Sequence, residues 1–190
     1  MALLTTVYGT GMMLTEIARL PLRAYLNGDG SIRVKSCVDA RIAYNGKERP
    51  IYWSNSKVTS AIDAYLAYRS AHRQGVTPMA TAYRGLDPDG PLFLTGDGEP
   101  YKLIERRTGS GTPSYSCDSL SQLFRKLHLQ AGIEGASAMS GRRTFAVRLA
   151  NNGYDLRHIN ELLGHETLTA TKRLIDANPV RLGAIVARVI

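Results

Sequence analysis

An Asn45-Gly46 pair lies between two short segments with strand character, whereas most of the remaining chain has helical periodicity. Asparagine and glycine both tolerate positive φ, so this dipeptide predicts the turn of a β-hairpin. Strands are expected at 31–38, where β-branched residues roughly alternate, and at 40–44 and 49–53 on either side of the turn. The sequence therefore predicts a small antiparallel sheet near the N-terminus.

Helices are predicted where apolar residues recur at helical spacing or where capping residues occur. The predicted segments are 2–8, 15–20, 56–70, a helix capped by Asp118, 144–151, a helix from an Asp155 cap to Gly164, and 181–190. Residues 74–111 are rich in Gly, Pro and Asp and enclose a candidate short strand, Leu92-Phe93-Leu94. This stretch is too short to separate two cores. The expected fold is α+β, mostly helical, in a single domain over 1–190.

The charge balance favours a polyanionic partner. Lysine and arginine total 24 against 16 acidic residues, which gives a net charge of +8 and an isoelectric point near 9.7. Nucleic acid is favoured over the alternative of a basic protein that is merely soluble. No apolar run approaches the roughly 18 residues of a membrane-spanning helix, and the N-terminus has no basic region typical of a secretory signal. Cys37 and Cys117 alone cannot build a disulfide-rich scaffold, so a cytoplasmic protein is expected.

Several segments, in order, resemble the catalytic domain of the tyrosine recombinases, also called phage integrases. The resemblance runs from about Thr5 to Val186, nearly the whole chain. The matching segments are Tyr8-Gly9-Thr10-Gly11-Met12-Met13-Leu14-Thr15-Glu16-Ile17, Asn45-Gly46-Lys47-Glu48-Arg49, Leu92-Phe93-Leu94-Thr95 with Pro100-Tyr101, Ser140-Gly141-Arg142-Arg143-Thr144-Phe145-Ala146, Asn152-Gly153, Asp155-Leu156, and Leu162-Leu163-Gly164-His165.

This resemblance implies a specific chemistry. In the family, a tyrosine hydroxyl attacks a DNA phosphodiester, forms a 3′-phosphotyrosyl bond and frees a 5′-hydroxyl, and the strand is later rejoined without ATP. Two arginines hold the phosphate and offset the charge of the transition state. A hairpin lysine protonates the leaving oxygen, and histidines assist proton transfer. No metal and no cofactor is expected.

Most of the family's catalytic positions are altered in this sequence. The first arginine falls on Met13, the hairpin lysine on Tyr44, the histidine of the His-x-x-Arg motif on Met139, and the nucleophile on Leu174. No tyrosine follows Tyr154, so a shift of register supplies no replacement. Without a nucleophile the covalent route is lost. The resemblance therefore implies a protein that binds DNA but does not cleave it alone.

Arg142 and His165 are kept, and they are expected to grip one phosphate. The alternative is an inherited structural pair whose groups are satisfied by local hydrogen bonds. Lys172-Arg173 are candidates for phosphate contact or for a solvated helix face. Arg106-Arg107 lie in a predicted loop rich in Gly, Ser and Thr, which is either a DNA-tracking loop or a disordered one.

The expected partner is double-stranded DNA. The core-binding domain that precedes this domain in the family is expected to be absent from the chain. A C-terminal helix at 180–190 either docks on another recombinase subunit or packs on its own domain. Two alternative functions remain open: a recombinase subunit that uses a tyrosine donated in trans, and a protein–protein module that has lost DNA binding.

Overall fold

The computed structural model describes residues 1–79, 81–107 and 113–176. Within these ranges the fold is α+β and mostly helical, as predicted. The α-helices are α1 (Ala2–Thr10), α2 (Leu14–Ile17), α3 (Ser56–Ala71), α4 (Asp118–Gln130), α5 (Ser140–Asn151), α6 (Leu156–Leu163) and α7 (Leu168–Asp176). The strands are β1 (Lys35–Val38), β2 (Arg49–Tyr52), β3 (Ile104–Arg107) and β4 (Pro113–Ser116), and short 3₁₀ turns lie at Leu22–Ala24 and Tyr83–Gly85. The predicted helix at 180–190 lies outside the described residues.

The predicted hairpin forms, although its loop is longer than expected. Strands β1 and β2 pair antiparallel, with Val38 opposite Arg49. The prediction of a strand at 40–44 was wrong, because Asp39 organises a turn there. The Asp39 carboxylate accepts a hydrogen bond from the Arg41 backbone N–H at 2.8 Å, and the Asp39 carbonyl accepts one from the Ala43 backbone N–H at 2.9 Å. Gly46 has a positive φ of 71°, as expected of a glycine in a turn. Residues 39–48 therefore form one hairpin loop, and Tyr44 lies within it.

A second correction concerns the basic pair Arg106-Arg107, which was expected in a loop. Both residues belong to β3, which pairs antiparallel with β4, so that Arg106 lies opposite Ser114 and Arg107 opposite Pro113. Paired backbone groups hold this segment in an extended conformation. The candidate strand at Leu92-Phe93-Leu94 is reduced to a single bridge between Leu94 and Pro100.

The helix ends follow local chemistry. The Asp155 carboxylate accepts a hydrogen bond from the Arg157 backbone N–H at 2.7 Å, which caps α6 as predicted. Gly164 then ends α6 at φ 66°, a conformation that favours glycine. Helix α5 begins at Ser140, ahead of the expected residue 144. Arg142 consequently lies in its first turn.

The main core is built from α1 to α4 and the first hairpin, and a smaller cluster joins α5, α6 and α7. Helix α1 connects them because glycines allow close approach on two sides. A Cβ on Gly9 would lie 2.4 Å from Val58 of α3, and one on Gly141 of α5 would lie 2.2 Å from Val7. This packing brings the C-terminus of α1 next to Arg142. No helix in the described ranges is both long and apolar enough to span a membrane.

Candidate functional site

Arg142 is buried where three helices meet. Its side chain is only 1% exposed. Nη1 donates to the carbonyl of Gly11, just after α1, at 2.8 Å, and Nη2 donates to the carbonyl of Leu163, at the end of α6, at 2.6 Å. These contacts satisfy carbonyls at helix ends, which lack partners within their own helices. The contacts expected of a structural arginine are thus present, and phosphate binding stays a prediction.

Tyr44 covers the guanidinium of Arg142. The centre of its ring lies 5.0 Å from Cζ of Arg142, a cation–π distance. The Tyr44 hydroxyl donates to the Gly164 carbonyl at 3.3 Å, and Nδ2 of the neighbouring Asn45 donates to the same carbonyl at 2.8 Å. Burial raises the pKa of Tyr44, while Arg142 acts in the opposite direction. Tyr44 therefore provides a neutral aromatic cover for Arg142.

A second buried arginine, Arg49 of β2, lies in the same cluster. Its Nη2 is 2.5 Å from Oε2 of Glu16, and both side chains are almost fully buried. Its Nη1 donates to the Leu162 carbonyl at 3.0 Å. Glu16 also accepts from the backbone N–H of Met13 at 2.9 Å and from that of Tyr44 at 3.2 Å. Glu16 therefore connects the start of α2, the hairpin loop and β2.

Sequence reasoning assigned no role to Glu16 or Arg49. Both residues nevertheless occur inside segments that carry the family resemblance, Thr10-Gly11-Met12-Met13-Leu14-Thr15-Glu16 and Asn45-Gly46-Lys47-Glu48-Arg49. The opposite charges in the two segments were the signal from which a buried ion pair could have been predicted. The spacing of charged residues along the chain did not indicate which carboxylate pairs with which arginine.

The cluster carries a surplus of positive charge. Burial lowers the pKa of Arg142 to about 10, and repulsion by Arg49 adds to the decrease, while Glu16 opposes it. Burial also lowers the pKa of His165 to about 4, with further decreases caused by Arg142 and Arg49. His165 is consequently neutral at pH 7, and the two guanidinium groups carry the charge of the site against the carboxylate of Glu16.

His165 is held by a polar chain that reaches α7. Its Nδ1 lies 2.8 Å from Oγ1 of Thr171, and Nδ2 of Asn160 donates to that oxygen at 3.0 Å. Thr171 is fully buried. Its hydroxyl is engaged with His165 and is buried, so it is not exposed to an incoming phosphodiester in this conformation.

The remaining predicted positions are spread around the cluster. Met13 and Met139 are the N-cap residues of α2 and α5 and are partly buried. Leu174 packs against the smaller core of α5, α6 and α7. Lys172-Arg173 are exposed on α7. The structure thus brings Arg142, Tyr44 and His165 together and leaves the other candidates apart from these contacts.

Comparison with known proteins identifies the family. The model of the phage integrase family matches residues 1–180. The chain belongs to the phage integrase family. This confirms the resemblance seen in its motifs.

Curated relatives agree with this assignment. The chain is 31% identical over 182 residues to the tyrosine recombinase XerC of Pelobacter propionicus. The aligned region covers 95% of this chain and 48% of the relative. It is 29% identical over 175 residues to the tyrosine recombinase XerD of Chlamydia pneumoniae. This alignment covers 90% of this chain and 46% of the relative. The chain therefore spans about half the length of these relatives.

Solved structures share the fold. The XerA recombinase superposes with a TM-score of 0.68 at 19% identity, covering 98% of this chain and 56% of that one. The XerH site-specific recombinase, in a post-cleavage complex with its palindromic difH substrate, gives a TM-score of 0.62 at 18% identity, covering 98% and 44%. The Tn1549 transposon integrase in complex with transposon right end DNA gives 0.59 at 19% identity, covering 99% and 58%.

Proposed function

We propose that this protein binds duplex DNA by holding a backbone phosphate at Arg142 and His165, and that it does not cleave DNA on its own. The observation that carries the proposal is the buried surplus of positive charge formed by Arg142 and Arg49 against Glu16. A buried cation without a full complement of negative charge favours an anion at the site, because the interior screens charges poorly. Solved relatives that are described as complexes with DNA support a DNA partner.

The donors of Arg142 are sufficient for this role. A guanidinium has five N–H groups in a planar fork. The bonds to Gly11 and Leu163 occupy one donor on each terminal nitrogen. One further donor contacts the Tyr44 hydroxyl, and the others remain for phosphate oxygens, with which arginine forms charge-assisted bonds. His165 adds a ring nitrogen, Nε2, because only Nδ1 is engaged with Thr171.

Several features argue against cleavage by the chain alone. Leu174 has no nucleophilic atom and packs into an apolar cluster. The hydroxyl of Thr171 is fully buried. Met13 and Tyr44 provide neither the second phosphate-binding cation nor the proton donor of the family's reaction. The protein is therefore proposed to occupy DNA rather than to process it.

The wider interface is proposed to include Lys172-Arg173 on α7 and Arg106-Arg107 on β3. Residues 1–190 are proposed to act as a single domain, and the protein is proposed to be cytoplasmic. Segment 180–190 is proposed as a contact with other recombinase subunits. A protein that binds weakly through one domain gains affinity when it assembles beside a partner on the same DNA.

Fluorescence anisotropy with a random duplex across a salt series tests the proposal. The logarithm of the affinity should fall linearly with the logarithm of the salt concentration, with a slope of about −0.9 for each phosphate contacted. Arg142→Gln and His165→Gln should weaken binding, whereas Arg125→Gln on the exposed face of α4 serves as the control. Thermal melting of each variant verifies that it is folded. Absence of binding at low salt, or equal loss in the control, would refute DNA binding at this site.

Cleavage is tested separately with a nicked suicide duplex analysed on a denaturing gel. The wild-type chain should give neither a shortened strand nor a covalent protein–DNA adduct. A phosphotyrosyl adduct on this chain would contradict the proposal.

A further inference from the structure

The hairpin loop, residues 39–48, docks its second half on the turn that contains His165. Tyr44 and Asn45 both donate to the Gly164 carbonyl, at 3.3 and 2.8 Å. Nζ of Lys47 lies 3.1 Å from Oε1 of Glu166. All of these contacts end on residues 164–166. The docked loop therefore holds the ring of Tyr44 over the guanidinium of Arg142.

The two halves of the hairpin loop are held in different ways. Arg19 fixes the first half by donating to the carbonyls of Arg41 and Ile42, at 3.2 and 2.7 Å, and Ala43 is buried. Beyond Ala43 the contacts are polar: besides those to the 164–166 turn, the backbone N–H of Tyr44 donates to buried Glu16 at 3.2 Å. The side chains of Lys47 and Glu166 are each 61% exposed, so solvent and salt weaken their attraction.

Tyr44 is a surface cover rather than a core residue. It is 41% exposed, while the guanidinium beneath its ring belongs to a residue that is 1% exposed. A ring face 5.0 Å from Cζ of Arg142 occupies the side on which an incoming anion would approach. An aromatic face is a weaker partner for a guanidinium than a phosphate that accepts charge-assisted hydrogen bonds. An anion is therefore able to compete for this position.

We propose that the hairpin loop is an occluding strap, and that a DNA phosphate reaches Arg142 only after Tyr44 has left the 164–166 turn. This inference rests on the proposed function and concerns regulation of that same site. Release breaks the bonds to Gly164 and frees Lys47 from Glu166. The freed Lys47 ammonium then adds a cation on the side from which the phosphate arrives.

The strap lowers the apparent affinity by the fraction of molecules that are open. If about one molecule in ten is open, removing the cover increases affinity about tenfold. The first experiment titrates inorganic phosphate and a random duplex into the wild type, Tyr44→Ala and Tyr44→Phe. Phosphate binding is followed through the NMR signals of the His165 ring, and duplex binding through anisotropy.

Tyr44→Ala should bind both probes several-fold more tightly than the wild type. Tyr44→Phe should change affinity less, because it keeps the ring over Arg142 and loses only the hydroxyl contacts with Gly164 and with the Arg142 guanidinium. Unchanged or weaker binding by folded Tyr44→Ala would overturn the strap. Thermal melting establishes whether the variant is folded.

A second pair of variants decides the question if Tyr44→Ala does not fold. Glu166→Gln releases Lys47, and Glu161→Gln removes the same charge from another exposed position nearby in the chain. Glu166→Gln should increase duplex affinity more than Glu161→Gln does. Equal effects would overturn the strap.

The two proposals fail in different ways. If Arg142→Gln weakens DNA binding while Tyr44→Ala and Glu166→Gln gain nothing over their controls, only the strap is refuted. If Arg142→Gln leaves DNA binding unchanged in the wild-type and Tyr44→Ala backgrounds, the phosphate site itself is refuted.

Discussion

Replacing Glu16 by glutamine should strongly destabilise the fold. The carboxylate is fully buried and pairs with Arg49 at 2.5 Å, and it also eases the electrostatic cost of charged Arg142. Glutamine keeps a similar shape and a carbonyl oxygen that can still accept from Met13 or Tyr44. The change therefore removes charge more than it removes packing.

The size of the effect follows from the burial of the pair. Breaking a buried ion pair by removing one partner costs about 3–5 kcal/mol, since the other charge is left uncompensated. At roughly 2–4 °C for each kcal/mol in a domain of this size, the melting temperature should fall by about 6–20 °C. Urea unfolding followed by circular dichroism measures the free energy, and thermal melting measures the shift.

Two comparisons make this prediction specific. Glu166→Gln removes an exposed partner of Lys47 and should cost less than about 1 kcal/mol. The double variant Glu16→Gln/Arg49→Met should be less destabilised than the sum of the two single variants, because no unpaired charge remains at Arg49. A loss below about 1 kcal/mol for Glu16→Gln, or strict additivity in the double variant, would refute the reasoning.

Three further outcomes are expected. The pKa of His165 is lowered to about 4 in the fold, so the unfolded chain binds the imidazole proton more readily than the folded chain does. The free energy of unfolding should therefore fall as pH decreases from about 6.5 towards 4. Urea unfolding across this pH range should show a smaller slope for His165→Gln than for the wild type. Gly141→Ala should cost about 1–3 kcal/mol in urea unfolding despite alanine's helix propensity, because its Cβ would meet Val7 at 2.2 Å. Leu174→Tyr should form no covalent adduct with a nicked duplex, and an adduct would show that the other altered positions do not prevent cleavage.

Local signals predicted much of the secondary structure. Asp155 and Gly164 bound α6 as expected, since a side-chain cap and a left-handed glycine act on their own helix end. The segment 40–44 was mistaken for a strand because its residues suit an extended chain. The bonds from Asp39 that turn it are equally local, but alternation of residue types does not reveal them.

The candidate site was only partly accessible to sequence reasoning. The resemblance predicted that Arg142 and His165 are kept catalytic residues and that Tyr44 stands at an altered position, and these assignments stay predictions. They did not show that the donors of Arg142 bond to the carbonyls of Gly11 and Leu163. Those partners depend on the close packing of α1 against α5, which Gly141 permits.

The sequence by itself indicated the family, the first hairpin and the ends of helices such as α3 and α6, because periodicity and capping arise between near neighbours in the chain, whereas it missed α7, β3 and β4. Only the tertiary structure decided that Glu16 pairs with Arg49 and that the ring of Tyr44 covers Arg142. Tyr44 and the Gly164 carbonyl that it contacts are 120 positions apart in the chain. Contacts over such separations are set by how the helices and the hairpin pack, since packing determines which groups lose water together and must then satisfy one another.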